Sequence, residues 1–176
     1  LLCWVSVGFA EPVEISSPDG NLKGKFYLTD DSLLMWQVEY KGESLILPSR
    51  LGITGYVSGL QMKEVTECQV DTTWIPVYGE RSKIRDHYNG KKIRIVRPRN
   101  RHELLLDVRA YNEGIAFRYV YDEHENGGRY LHKTKKKTEF TLPENTKAWF
   151  ARRAQTKYEL LPLMNWEDEC ERPLTL

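Results

Sequence analysis

The sequence contains few cysteines and no long apolar run, and both absences narrow the class of protein. Its 176 residues include 3 cysteines, Cys3, Cys68 and Cys170, and none stands in a Cys-x-x-Cys or Cys/His spacing typical of zinc sites. Cys68 and Cys170 could pair in an oxidising compartment or remain two separate buried thiols, and the sequence leaves both open. No stretch reaches the roughly 20 apolar residues of a membrane-spanning helix, so we expect no membrane span.

The sequence also lacks an excess of positive or negative charge. The chain carries 26 Lys and Arg against 25 Asp and Glu, a net charge of +1. Two basic segments, residues 81–101 and 133–137, are offset by acidic residues and lack the aromatic motifs of RNA-binding domains, so we predict no nucleic-acid partner. None of the 4 histidines lies in a metal-binding HExxH spacing, and no serine lies in a GxSxG motif. A zinc hydrolase or a serine hydrolase is therefore disfavoured.

The first ten residues differ from the rest of the chain. Residues 1–10 read LLCWVSVGFA, an uncharged apolar stretch with small residues at Gly8 and Ala10. This pattern is typical of the end of a signal peptide with its cleavage site. We therefore predict a signal-peptide remnant over residues 1–10, a single domain over residues 11–176, and export to the periplasm or the extracellular space. The alternative is that residues 1–10 form a buried first strand.

The dominant hydrophobic period is two, which is the period of a β-strand with one buried face. Clear alternation covers residues 22–28, 34–40, 104–110 and 115–121, and shorter candidates cover residues 13–16, 44–47, 63–70, 92–96, 138–142 and 147–150. Turn residues separate these runs, and Lys41-Gly42 and Asn89-Gly90 fit short hairpin turns best. Hydrophobic residues make up 40% of the chain, enough for a core. The pattern predicts an all-β, antiparallel β-sandwich.

Two carboxylates stand out among many acidic residues. Glu80 follows the segment Trp74 to Gly79, and Glu159 lies between Tyr158 and Leu160, so apolar and aromatic residues flank both. We expect such carboxylates to be desolvated unless a cation or hydrogen-bond donors compensate. Exposed aromatic rings could stack on sugar rings, although most aromatic residues of a sandwich belong to its core. The tryptophans to consider are Trp36, Trp74, Trp149 and Trp166.

Several motifs, in order along the chain, resemble the N-terminal domain of glycoside hydrolase family 97, a family of bacterial α-glucosidases and α-galactosidases. They extend over most of the sequence. The matching segments are residues 17–20 (SPDG), 49–53 (SRLGI), 74–80 (WIPVYGE), 84–89 (IRDHYN), 111–119 (YNEGIAFRY), 158–159 (YE) and 172–175 (RPLT).

The resemblance implies more than the residues do by themselves. It implies a mutarotase-like super-sandwich that is incomplete at its C-terminus, followed by a (β/α)₈ barrel that carries the catalytic carboxylates. It also implies a calcium ion in the full-length enzyme, partly bound by Glu159. A hard cation with oxygen ligands suits a carboxylate between domains. The chain departs from the family pattern at Pro162, where an aromatic residue is expected. The chain alone would then be inactive.

Three functions remain open. The first is a non-catalytic domain of an exported, calcium-dependent α-glycosidase whose substrate is an oligosaccharide or glycan, glucosidic or galactosidic. The second is a free-standing carbohydrate-binding β-sandwich module, and the third is a structural interaction domain without sugar contact. The first predicts a barrel encoded directly downstream, whereas the other two predict a stop near Leu176.

Overall fold

A computed structural model describes residues 11–53, 56–99, 102–121, 137–153, 155–166 and 170. The residues proposed as a signal-peptide remnant, and two of the histidines (His124 and His132), lie outside this set. The chain divides into two compact units, Leu1–Thr141 and Leu142–Leu176. In the described residues no helix is long or apolar enough to cross a membrane.

The first unit contains two antiparallel sheets of four strands each. The order of the first sheet is β1-β2-β3-β4 and that of the second is β5-β6-β7-β8. The prediction of an all-β antiparallel sandwich is confirmed. The strands are β1 (Val13–Ser16), β2 (Leu22–Leu28), β3 (Leu34–Tyr40), β4 (Glu43–Arg50), β5 (Gln61–Trp74), β6 (Ile84–Arg97), β7 (His102–Tyr111) and β8 (Gly114–Val120).

Apolar side chains from both sheets form one core. Phe26 and Trp36 of the first sheet are 0% and 2% exposed, and Ile93 and Leu106 of the second are both 0% exposed. The Trp36 ring packs edge-on against Phe117 of β8, with 5.2 Å between ring centroids. Because successive side chains of a strand point to opposite faces, the period-two runs place their apolar residues in this layer.

The two predicted hairpin turns have different outcomes. Lys41 and Gly42 have φ of 51° and 86° and join β3 to β4, as a two-residue type I′ turn requires. Asn89 and Gly90 do not form a turn, and that prediction is wrong. They lie inside β6, where Gly90 pairs with Cys68 of β5. A Cβ atom at Gly90 would lie 2.6 Å from Cys68 Sγ, so close packing requires glycine here.

The segment after residue 136 runs beside β4 without forming a strand. Glu139 N donates to the Arg50 carbonyl at 2.8 Å, and Leu47 N donates to the Thr141 carbonyl at 2.8 Å. Only the bridge between Leu47 and Thr141 qualifies as β-pairing in the described residues of this segment. The predicted strand over residues 138–142 is thus an extended segment that contacts the edge of the first sheet.

The second unit contains a short hairpin. Its strands are β9 (Lys147–Phe150) and β10 (Glu159–Pro162), which pair antiparallel. A single 3₁₀ turn, Leu163–Asn165, follows β10. The bounds of β9 match the sequence prediction, whereas β10 was not predicted.

Candidate functional site

Glu159 is the first residue of β10, and its backbone position is fixed by pairing with Phe150 of β9. The Phe150 side chain is 0% exposed and its ring lies 5.5 Å from that of Trp166. This contact packs the residues after the 3₁₀ turn against β9. Glu159 itself is exposed, and the described residues provide no ion pair or hydrogen bond to its carboxylate. The carboxylate is therefore available to a further ligand.

The residues next to Glu159 in the hairpin are apolar and partly exposed. Tyr158 and Leu160 are 43% and 45% exposed, and Trp149, which pairs with Leu160 across the hairpin, is 47% exposed. Because successive side chains of a strand point to opposite faces, Leu160 and Trp149 lie on the face of the hairpin opposite to the Glu159 carboxylate. Their exposure is typical of a surface that binds a partner. The expectation that flanking apolar residues desolvate Glu159 is wrong, because the flanking side chains are themselves at the surface.

The residues present fit part of a calcium site and not a complete one. Calcium takes six to eight oxygen ligands in proteins. The described residues contain no cluster of three or more His, Cys, Asp or Glu side chains able to hold a metal ion. Glu159 could therefore supply one ligand to an ion whose other ligands come from elsewhere, and this hairpin does not form a calcium site by itself.

Glu80 lies in the loop between β5 and β6 and is exposed. The expected desolvation of this carboxylate is wrong as well. The apolar residues that precede it in sequence are also exposed: Ile75 by 74%, Val77 by 98% and Tyr78 by 90%. The sequence suggested apolar surroundings for Glu80, but the whole of residues 74–80 lies at the surface.

One cleft of about 510 Å³ in the first unit is lined by two carboxylates, Glu14 of β1 and Glu67 of β5. Each contacts a lysine: Glu67 at 2.5 Å from Lys91 Nζ, and Glu14 at 3.9 Å from Lys25 Nζ. The two Glu side chains are 68% and 71% exposed. Exposed carboxylates already contacted by lysines suit surface ion pairs rather than the protonated acid of a glycosidase.

The other candidate residues are distributed over both units. Trp36 is buried, while Trp74, Trp149 and Trp166 are 51%, 47% and 42% exposed. Cys68 and Cys170 are both free thiols, and Cys68 is exposed rather than buried.

The fold defines the class of protein as a two-sheet antiparallel β-sandwich with an additional hairpin. Residues 15–176 match the family model described as glycosyl-hydrolase 97 N-terminal. Since this match covers most of the chain, the chain belongs to that family, and the resemblance noted from its motifs is confirmed.

Known proteins with similar sequences and structures include family 97 enzymes. A retaining alpha-galactosidase of Bacteroides thetaiotaomicron is 30% identical over 125 residues, which are 68% of this chain and 18% of the galactosidase. A family 97 glycoside hydrolase from a Pseudoalteromonas species, solved with panose, superimposes with a TM-score of 0.76 at 24% identity, over 87% of this chain and 25% of that one. A beta-arabinopyranosidase superimposes with a TM-score of 0.72 at 20% identity, over 80% and 23% of the two chains. The chain thus spans about a quarter or less of these relatives.

Proposed function

We propose that this chain is the non-catalytic N-terminal domain of an exported, calcium-dependent α-glycosidase. The family match over residues 15–176 is the observation that carries the proposal. The relatives are named as a retaining alpha-galactosidase and as a family 97 enzyme solved with panose. We infer an α-glycosidic bond, galactosidic or glucosidic, in an oligosaccharide or glycan as the substrate of the whole enzyme.

The catalytic step is assigned to a downstream domain, a (β/α)₈ barrel. Glycoside hydrolysis requires two carboxylates on opposite sides of the scissile bond, one of them a proton donor. The carboxylates that line one cleft here, Glu14 and Glu67, contact lysines and are mostly exposed. In the relatives, three quarters or more of the polypeptide lies outside the part that this chain covers, which leaves room for the barrel.

The role assigned to Glu159 is to bind a calcium ion shared with that barrel. Its carboxylate is exposed at the start of β10, and the side chains of Leu160 and Trp149, on the other face of the hairpin, are exposed as well. When bound, calcium would supply a fixed positive charge beside the substrate. Glu159 would hold one side of the ion and orient the hairpin toward the barrel.

Export is proposed from the sequence of residues 1–10, an apolar stretch that ends in small residues. We place the mature N-terminus at or near Glu11. N-terminal sequencing of the protein recovered from the periplasm or the medium tests this placement. Recovery of a chain that still begins within residues 1–10 would contradict it.

The alternative function is a free-standing carbohydrate-binding module. The observation in its favour is the exposure of three tryptophans by 42–51%, since aromatic faces stack on sugar rings. This alternative predicts that residues 11–176 bind glycans alone and that the reading frame stops near Leu176. The first function predicts a barrel-coding sequence directly after it.

Activity assays on the full-length protein test the proposal. We expect the full-length protein to hydrolyse an aryl α-galactoside or an aryl α-glucoside, and residues 11–176 alone to hydrolyse neither. Turnover by residues 11–176, or no turnover of either substrate by the full-length protein, would overturn it.

A further inference from the structure

Strands β5 and β6 extend beyond the sheet to which they belong. They pair from Gln61 to Trp74, opposite Val96 to Ile84, whereas β7 pairs with β6 only between Asn89 and Arg97. Residues 70–74 and 84–88 therefore form a two-stranded ribbon, closed by the loop of residues 75–83. We call residues 70–88 the arm and residues 74–78 its tip. A ribbon of two strands is only marginally stable in water by itself.

The tip is apolar and exposed. Trp74 is 51% exposed, Ile75 74%, Val77 98% and Tyr78 90%. Taking about 150–250 Å² for each large side chain, the tip presents on the order of 500 Å² of apolar surface. The largest apolar patch of a typical monomeric protein has about this size, roughly 300–600 Å², and is often an interaction site.

Polar and aromatic contacts stabilise the paired strands of the arm, residues 70–73 and 84–88, which we call its stem. Arg85 makes a two-pronged ion pair with Asp71 across the ribbon, both N···O distances being 2.7 Å, and this pair lowers the pKa of Asp71. Tyr88 is buried, with the Tyr111 ring 5.2 Å away and the Arg109 guanidinium 4.6 Å from its centroid. The structure thus presents the tip on a supported stem.

The chemistry of the tip favours a protein surface over a sugar as the partner. Sugar recognition combines an aromatic face with polar groups for the hydroxyls. Ile75 and Val77 are aliphatic side chains and provide none, and Pro76 removes a backbone donor. Aliphatic side chains flanked by the aromatic residues Trp74 and Tyr78 instead match the apolar centre of a protein interface.

We propose that the tip of the arm docks in an apolar groove of the polypeptide that family 97 relatives carry outside the region matched by this chain. This inference rests on the proposed function, because it requires a downstream domain. In the relatives that polypeptide makes up three quarters or more of the chain, and it is covalently linked to the sandwich. A linked partner is present at an effective concentration of about millimolar, so it outcompetes a second copy for the tip.

Site-specific alkylation of the full-length protein tests the docking. The first variant, Val77→Cys, places a thiol on the tip, and the matched control, Glu43→Cys, places one on the exposed first residue of β4. Both are treated with a maleimide, and each site is read separately by peptide mass spectrometry. We expect Val77→Cys to react about tenfold or more slowly than Glu43→Cys in the native protein, and at the same rate in urea.

A second variant keeps the test independent of the cysteine. Val77→Asp places a charge in the docked surface, so the melting temperature of the full-length protein should fall, while Glu43→Asp should leave it unchanged. The same samples are assayed for hydrolysis of the aryl glycosides. Loss of the proposed function would appear as inactivity of the wild type, and failure of the docking would appear as an active enzyme with a reactive tip.

Three results would overturn the docking. One is equal alkylation of Val77→Cys and Glu43→Cys in the active native protein. Another is protection that disappears on dilution together with a dimer seen by light scattering, which would assign the tip to a second copy. The last is protection that appears only when a glycan is added, which would assign the tip to sugar binding.

Discussion

Replacing Gly90 with alanine should destabilise the sandwich, although alanine is favoured over glycine within a strand. The new Cβ would lie 2.6 Å from Cys68 Sγ and 3.1 Å from Cε2 of Tyr88. Tyr88 has little room to move, because it is buried between Arg109 and Tyr111. Overpacking of this kind costs about 1–3 kcal/mol of stability. Alanine loses less conformational freedom than glycine when the chain folds, and this offsets about 0.5–1 kcal/mol of the cost. The two ranges leave a net loss of about 0–2.5 kcal/mol, and from their mid-values we expect about 1 kcal/mol.

Thermal unfolding measures this loss. At about 2–4 °C per kcal/mol for a domain of this size, a loss of about 1 kcal/mol in Gly90→Ala should lower the melting temperature by about 2–4 °C. Gly114→Ala is the matched control, since an added Cβ there meets nothing within 4 Å, and it should be neutral or slightly stabilising. In a Cys68→Ala background part of the loss should be recovered. Equal melting temperatures for Gly90→Ala and Gly114→Ala would refute the reasoning.

Three further predictions concern the core, an ion pair between a buried carboxylate and an exposed guanidinium, and the effect of alkaline pH. Trp36→Ala removes a side chain that is 2% exposed and packs against Phe117, so urea titration should show a loss of about 3–5 kcal/mol; a loss under 1 kcal/mol would contradict the packing. The Asp107 carboxylate is 7% exposed and lies 2.8 Å from the Arg118 guanidinium. Arg118→Ala removes this partner and should lower the free energy of unfolding by about 1–3 kcal/mol in the same assay. An unchanged free energy would contradict the importance of the pair. Burial, followed by the nearby tyrosines, raises the pKa of Tyr121 from 10.0 to about 12. The folded state therefore favours the neutral phenol of Tyr121. The stability that Tyr121 contributes is complete below pH 10 and is lost as the pH rises through about 12. Unfolding titrations across that window should be steeper in pH for the wild type than for Tyr121→Phe, and identical slopes would count against the shift.

The strands that sequence predicted best are short, with one apolar face and turn residues at both ends. The bounds of Val13–Ser16, Leu22–Leu28, Leu34–Tyr40 and Lys147–Phe150 match the structure. Burial of one face dictates both their period and their length.

The long strands β5 and β6 were the hardest to predict, because both faces of much of β5 are exposed. Period-two apolar alternation is then absent, and cross-strand ion pairs such as Glu67–Lys91 and Asp71–Arg85 take its place. Asn89-Gly90 is a turn signal by local preference. Its place inside β6 comes from strand pairing, because Gly90 pairs with Cys68 of β5 on one side and with Arg109 of β7 on the other. These are contacts between distant residues that no local pattern encodes.

The role of Glu159 stays a prediction, and the structure tests only the environment that the sequence suggested for it. The prediction that Glu159 binds a ligand comes from the family resemblance of the motif around it. Its exposure could not be predicted, because Tyr158 and Leu160 suggest burial by their composition and yet are 43% and 45% exposed. Neighbours in sequence indicate what surrounds a carboxylate only when the same neighbours are themselves buried.

Calcium binding by the full-length protein tests the central claim most directly. Calorimetric titration and the calcium dependence of glycoside hydrolysis would be measured for the wild type, for Glu159→Gln and for the control Glu80→Gln. Losing one charged ligand should raise the calcium concentration needed for half-saturation about tenfold or more in both measurements, while Glu80→Gln should behave as the wild type. Identical calcium curves for Glu159→Gln and the wild type would contradict the claim that this domain completes the site.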